Sequence, residues 1–126
     1  PVAACATRQG LTYQATLITQ RIHGARTLAD WLSDQRISKD TLNTALASVG
    51  RMIRRFHNHG LDHVDLNARN ILLDQQGTPW LIDLDRCRLR RLGNWQEKNL
   101  ERLGRSIHKF DSTLSIHHLI LQGYRS

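Results

Sequence analysis

Leu42, Ala45, Leu46, Val49, Met52, Ile53 and Phe56 recur at steps of 3, 1, 3, 3, 1 and 3. That is the stripe of an amphipathic helix, because 3.6 residues per turn bring every third or fourth side chain back to one face. Asp40 stands where an N-cap belongs, and Gly60, just past His57–His59, supplies the stop. A helix of this length with one apolar face must be buried against other elements. The chain has 126 residues, 40% of them apolar and 23% charged, which fits one domain or part of one built around such a helix.

The remaining elements are short. "LTYQATLITQRI" (11–22) has the Tyr, Thr and Ile content of an extended segment, and "TLADWL" (27–32) reads as a short helix capped by Thr27. Two apolar runs, "ILL" (71–73) and "PWLI" (79–82), flank "DQQGT" and predict a hairpin with Gly77 in the turn. A further helix starts at "NWQE" (94–97), where Asn94 and Glu97 have capping-box spacing, with Leu100, Leu103, Ile107 and Phe110 as its core face. The tail "STLSIHHLILQGYRS" predicts one more short helix. The order is strand, helices, loop, hairpin, helices: an α+β fold.

No apolar run exceeds the six residues Pro1–Ala6, too short for a transmembrane helix, and no basic segment precedes it as in a secretory signal. Cys5 and Cys87 form no CxxC pair and read as idle or buried thiols of a reducing compartment. The net charge of +7 gathers in clusters: Arg51, Arg54 and Arg55; Arg86, Arg88, Arg90 and Arg91; Arg102 and Arg105. These are either a solvated surface or an attraction to phosphate, nucleic acid or an acidic membrane face. Few aromatics interleave with the arginines, which ranks nucleic acid last.

Chemistry concentrates in "LDHVDLNARNILLD" (61–74) and "PWLIDLD" (79–85). Asp65 precedes the first strand of the hairpin, Asn70 opens it, and Asp83 closes the second. A hairpin sets the start of one strand beside the end of the next, so Asn70 and Asp83 can converge. A hard cation such as Mg²⁺ takes one or two protein oxygens and fills its remaining positions with phosphate and water. Asp65 is then free to accept the proton of an incoming hydroxyl, the parts list of phosphoryl transfer. Each residue alone reads equally as turn punctuation. The three at these separations, with His63 two before Asp65, favour chemistry. His57, His59 and His63 admit a zinc reading, against the commoner role of histidines near the last carbonyls of a helix. His117–His118 point to different helix faces and suggest no site.

"HVDLNARN" resembles the catalytic loop of the protein-kinase-like fold, and "LID" (81–83) resembles its metal-binding motif, with Asp83 13 positions after Asn70. More narrowly, "HVDLNARNILLD", "WLIDLDR" and "NLERLGRSIHK" resemble the 3-deoxy-D-manno-octulosonic acid (Kdo) kinase family, and "LTYQATLITQRIHGARTLADWL" resembles the region of that family crossing the hinge between lobes. The resemblance implies a kinase-like C-terminal lobe over 23–126, mostly helical with a small hairpin at the catalytic loop. Residues 1–22 are then the end of an N-terminal lobe strand and the hinge. It implies Asp65 as catalytic base, Asn70 and Asp83 as Mg²⁺ ligands, and His63 as the loop's anchor. The backbone of Thr19, Gln20, Arg21 and Ile22 would lie along the adenine of ATP. The implied acceptor is a Kdo sugar on lipid A precursor, met at the cytoplasmic face of the bacterial inner membrane by peripheral contact with its anionic surface, with no nucleic acid involved.

Departures from the general kinase pattern are informative. Val64 replaces the Arg of regulated protein kinases, which implies no positive pocket there for an activation-loop phosphate. Asn67 stands at a position often held by a phosphate-neutralising Lys, whereas Arg69 occupies the place tyrosine kinases use for that purpose, so Arg69 joins the candidate catalytic residues. Asp85 replaces the Gly that follows the metal-binding Asp. The Gly-rich loop, the phosphate-gripping Lys and its partner Glu, all of which precede the hinge in this fold, are absent from the sequence. A lipopolysaccharide heptose kinase, an aminoglycoside-type kinase and an inactive kinase fragment remain as alternatives.

Overall fold

A computed structural model describes residues 2–110 and 115–126. The described residues are mixed α/β, with four helices and three small antiparallel sheets among them. The first sheet is a hairpin of β1 (Ala3–Gln9) and β2 (Thr12–Ile18), registered Ala3 opposite Ile18 through Gln9 opposite Thr12. The sequence predicts an extended segment over 11–22. The strand ends at Ile18, and its partner β1 was not anticipated. Every residue of both strands is exposed, including Tyr13 and Leu17, as is Leu11 in the turn between them. Neither face of this ribbon is buried.

Thr27 caps α1 (Leu28–Ser33) as predicted, in a full capping box with Asp30: the Thr27 hydroxyl accepts the Asp30 N–H, and the Asp30 carboxylate accepts the Thr27 N–H. The stripe helix is α2 (Lys39–Asn58), burying Ala45, Leu46, Val49 and Ile53. Its N-cap is Ser38 rather than Asp40: the Ser38 hydroxyl accepts from the Thr41 N–H at 3.2 Å, which places Asp40 inside the first turn. Gly60 ends it with φ +77°, a left-handed value that glycine adopts without strain.

β3 (Arg26–Thr27), β5 (Ile71–Leu73) and β6 (Pro79–Leu81) form the central sheet in the order β3-β5-β6, with Leu72 opposite Trp80. The predicted hairpin is therefore present, with Gly77 in its turn at φ +77°. The Asp74 carboxylate closes that turn by accepting the N–H groups of Gln76 and Thr78. β4 (Leu61–Asp62) pairs with β7 (Arg88–Leu89), which brings the arginine-rich stretch back beside the end of α2.

The helix at "NWQE" is α3 (Trp95–Ile107), but Asn94 makes no capping bond. Its backbone is already helical, so its side chain cannot turn back onto the first free N–H groups; Gln96 instead accepts the Gly93 N–H at 2.9 Å. Leu103 and Ile107 are buried and Leu100 half-buried as expected, whereas Phe110 lies beyond the helix end and is exposed. The tail forms α4 (Ser115–Arg125); residues 112–114 of the predicted segment lie outside the described residues.

The core is α2 packed on α4, roofed by α1, α3 and the central sheet. Two glycines set the α2–α4 distance. A Cβ at Gly50 would overlap the Ile120 carbonyl oxygen and lie 2.6 Å from the Tyr124 nitrogen; one at Gly123 would overlap the Ala47 carbonyl oxygen. Arg54, from the first arginine cluster, spans the same crossing and donates to the Arg125 carbonyl at 3.0 Å at the end of α4. His57 is buried on this seam, its Nδ1 2.9 Å from the Tyr124 hydroxyl and its ring edge-on to Trp95.

Two predictions follow from this packing. Gly50→Ala or Gly123→Ala gains roughly 1 kcal/mol of helix propensity but forces backbone apart, and should destabilise by about 2 kcal/mol net in urea unfolding; a more stable variant contradicts the packing. Burial lowers the His57 pKa from 6.5 to about 4, with the Asp62 charge opposing only in part. The unfolded chain therefore binds the extra proton first, so stability is complete above pH 6.5 and falls as pH drops toward 4. The urea midpoint should decline over that window, and His57→Asn should flatten the profile.

Candidate active site

The loop 61–70 is built by alternation. His63, Leu66 and Ala68 are buried, while Asp65 and Arg69 between them face solvent. Apolar anchors thus force the charged neighbours outward. The Ala68 carbonyl accepts the Ala29 N–H of α1 at 3.1 Å, and the Ala68 N–H donates to the Ser106 hydroxyl of α3 at 2.9 Å. Asn67 folds the loop on itself: its Oδ1 accepts the N–H groups of Arg69 and Asn70, and its amide donates to the Asp65 carbonyl. The residue that cannot neutralise a phosphate is a structural hub of the turn.

Asp83 is placed through its neighbour. The Ile82 N–H donates to the Asn70 carbonyl at 3.0 Å, and the Ile82 carbonyl accepts from His63 Nε2 at 2.9 Å. His63 is the loop's anchor, as expected. A carbonyl only accepts, so Nε2 carries the proton, and the buried Nδ1 has no partner among the described residues. With both polar groups of residue 82 held, Asp83 turns sharply out of the strand at φ +62°, a left-handed conformation that Asp tolerates better than most residues.

Of the three sequence-predicted oxygen donors, Asp65 contacts Asn70 and shares a cleft with Asp83, while Asn70 does not line that cleft. The Asn70 amide donates to the Asp65 carbonyl at 2.9 Å and lies 3.5 Å from its carboxylate, which leaves Asn70 Oδ1 free of that contact. Asp65 and Asp83 line one cleft of about 120 Å³ with His63, Val64, Asp85, Arg86 and Cys87. The Asp83 pKa is raised, chiefly by a hydrogen bond with the Asp85 carboxyl and then by that group's charge, with Asp65 adding to the effect. Carboxylates that disfavour one another's ionisation are what a divalent cation relieves. Among the described residues no group of three or more His, Cys, Asp or Glu has a metal-holding arrangement. The cleft offers the carboxylates of Asp65, Asp83 and Asp85, and a hard ion needs only one or two of these if phosphate and water fill its other positions.

Other candidates fall elsewhere. Arg69 is exposed, lies outside this cleft, and its charge is felt by Asp30 at the start of α1. Thr19–Ile22 join β2 to β3 outside any strand, exposed except for half-buried Ile22. The zinc reading does not hold: the rings of His57, His59 and His63 turn to Tyr124, the Arg55 carbonyl and the Ile82 carbonyl respectively. His59, at the end of α2, is the expected carbonyl-bonding histidine.

Sequence reasoning missed several residues. Arg86 shares the cleft with Asp65 and Asp83; its signal, three positions after Asp83, was absorbed into a surface cluster. Asp62 is buried and accepts from Asn99 Nδ2 at 2.8 Å and Arg90 Nη1 at 2.9 Å. Burial works to raise its pKa, but those donors outweigh it and the carboxyl sits below its ordinary value. Val64, which replaces the Arg of regulated protein kinases, nevertheless borders a basic cleft. Arg88, Arg90, Lys98 and Arg102 line a cleft of about 240 Å³ on the other side of Val64. Its cations come from β7 and α3, not from the loop.

This geometry meets an independent finding: residues 1–124 match the lipopolysaccharide kinase (Kdo/WaaP) family. The chain belongs to that family. Its relatives include a 3-deoxy-D-manno-octulosonic acid kinase of Xylella fastidiosa, 45% identical over 117 residues covering 92% of this chain and 45% of the relative. Proteins of the same name from Vibrio parahaemolyticus and Vibrio vulnificus are 42% and 39% identical, covering 86% and 100% of this chain and 44% and 54% of theirs. The chain spans about half the length of the curated relatives it matches. Within this family member, Asp83→Asn should keep the fold, since Asn accepts the same backbone and removes the repulsion with Asp85. Stability should change by less than about 0.5 kcal/mol, while Mn²⁺-induced broadening of the Asp65 and Asn70 amide signals should disappear.

Proposed function

We propose that this chain is the C-terminal lobe of a Kdo kinase that transfers the γ-phosphate of ATP to a hydroxyl of a Kdo sugar on lipid A precursor, in lipopolysaccharide inner-core assembly. The cleft that Asp65 shares with Asp83, with Asn70 bonded to Asp65 beside it and its carbonyl bonded to the Ile82 N–H, supports this reading. Asp65 is the base: its exposed carboxylate accepts the hydroxyl proton as the sugar oxygen bonds to the γ-phosphorus. The bond from that phosphorus to the β–γ bridging oxygen breaks, and ADP leaves. Asn70 and Asp83 would hold Mg²⁺, which when bound neutralises phosphate charge. Asn67 and His63 keep the base and Asp83 in register. Arg69 reaches the transferred phosphate or the acceptor.

Residues 1–22 are read as the last N-terminal lobe strands and the hinge, with Thr19–Ile22 along the adenine. The doubly exposed β1–β2 ribbon supports this, because an isolated two-stranded hairpin is marginal alone and gains stability by packing. Peripheral contact with an anionic leaflet is supported by a mixed surface on which Leu84, Leu89 and Leu92 stand exposed among Arg86, Arg88 and Arg91. Each such Arg is worth about 1 kcal/mol near an acidic membrane. Among the described residues no helix is long and apolar enough to cross a membrane.

The test is Mg·ATP-dependent phosphorylation of a Kdo-bearing acceptor by the intact protein. Asp65→Ala should lower kcat by roughly 10²–10⁴ with ATP binding retained, and Arg69→Ala should slow turnover. Full activity in Asp65→Ala removes the assignment of the base.

A further inference from the structure

The basic cleft beside Val64 is unused by the mechanism above. Its lining sets four cations, Arg88, Arg90, Lys98 and Arg102, against one carboxylate, Asp62. Asp62 is already satisfied by Arg90 and Asn99. Among the described residues Arg88, Lys98 and Arg102 form no ion pair, and although the Asp62 carboxylate feels the Arg88 charge, the lining carries an excess of positive charge. Unpaired cations held this close repel one another, and the arrangement gains from an anion.

Two further observations narrow the ligand. Asn99, only 4% exposed, forms part of the cleft wall, and its Oδ1 has no partner among the described residues. A bare anion offers such an acceptor nothing, whereas a ligand that also carries hydroxyls can satisfy it once the cleft wall yields enough to uncover the atom, which is otherwise closed to solvent. The volume, about 240 Å³, falls below the roughly 300–1,000 Å³ of drug-sized pockets and suits one acidic sugar ring. Val64 lines both this cleft and the one holding Asp65 and Asp83, so a ligand seated here borders the reacting groups.

We propose that this cleft binds the acidic group of the acceptor sugar, with Arg88, Lys98 and Arg102 pairing its carboxylate or phosphate and Asn99 serving a hydroxyl. The inference rests on the kinase reading for the identity of the ligand, but not for the existence of the site. Arg90 is the structural partner of Asp62, and the other three cations set specificity for an acid over a neutral sugar.

The test is an NMR titration of the chain with free Kdo, with inorganic phosphate and with a neutral sugar, following the Trp95 indole N–H and the Asn99 side-chain amide. A parallel titration with Mg·ATP follows Asp65, Asn70 and Asp83. Kdo should shift the Trp95 and Asn99 signals saturably, the neutral sugar should not, and Lys98→Ala/Arg102→Ala, both at exposed positions, should weaken binding at least tenfold. Phosphate competing at the same signals more tightly than Kdo assigns the cleft to a phosphate of the acceptor rather than to its carboxylate. Shifts that ignore the double substitution, or Kdo silent at Trp95 and Asn99 while Mg·ATP binds, overturn the proposal and leave the kinase reading intact. Kdo binding at Trp95 and Asn99 while Mg·ATP leaves Asp65, Asn70 and Asp83 unshifted supports the cleft and counts against those three as a nucleotide–metal site of this lobe.

Discussion

The peptide of Ile82 is the joint on which the site depends. Its N–H is taken by the Asn70 carbonyl and its carbonyl by His63 Nε2. One bond ties the hairpin's second strand to the start of its first, and the other ties it to the loop that carries Asp65. The His63 ring is buried, so its bond to Ile82 is shielded from competing water. Releasing either bond would free the residue before Asp83 and let the carboxylates drift apart. The left-handed backbone at Asp83 is sustained by the same restraint, since an unfavourable conformation persists only where its surroundings fix it.

That joint is supported from two sides. Behind the loop, Leu66 and Ala68 enter the core, and Ala68 is bonded to α1 and to α3. Beneath it, α2 runs close to α4 because Gly50 and Gly123 leave room for backbone against backbone. The position of α2 sets where β4 begins, and β4 leads within a few residues to His63 and Asp65. Core packing and site geometry are thus one continuous structure, and a substitution at Gly123 reaches the site through α2 and through α3, which packs on α4 and bonds Ala68.

Electrostatics divides the surface around Val64 into two unlike clefts. On one side carboxylates crowd together and raise the Asp83 pKa; on the other, cations from β7 and α3 gather around a single paired carboxylate. A reaction that brings a metal–phosphate complex to an acidic sugar has a use for both. The buried Asp62–Asn99 bond, covered by the exposed Arg90, ties α3 to β4 and keeps the two clefts adjacent.

Much of this was legible in the residues. The stripe from Leu42 to Phe56, the Thr27 cap and the Gly77 hairpin rest on interactions between near neighbours, and so does the placing of Asn70 near Asp83, because a hairpin leaves one way to fold. The capping expectations failed at Asp40 and Asn94, where candidate caps one or two positions apart are decided by local backbone angles. What the sequence could not settle were meetings between distant segments: Gly50 with Gly123, His57 with Tyr124, Asp62 with Asn99, and Arg88 with Lys98 and Arg102. A scattered arginine has the same composition whether it faces water, caps α4 as Arg54 does, or lines a cleft. Periodicity and short-range spacing determined the elements and the neighbourhood of Asp65, Asn70 and the hairpin; only the packing of α2, α3 and α4 decided which charges stand together, because that depends on contacts no local pattern encodes.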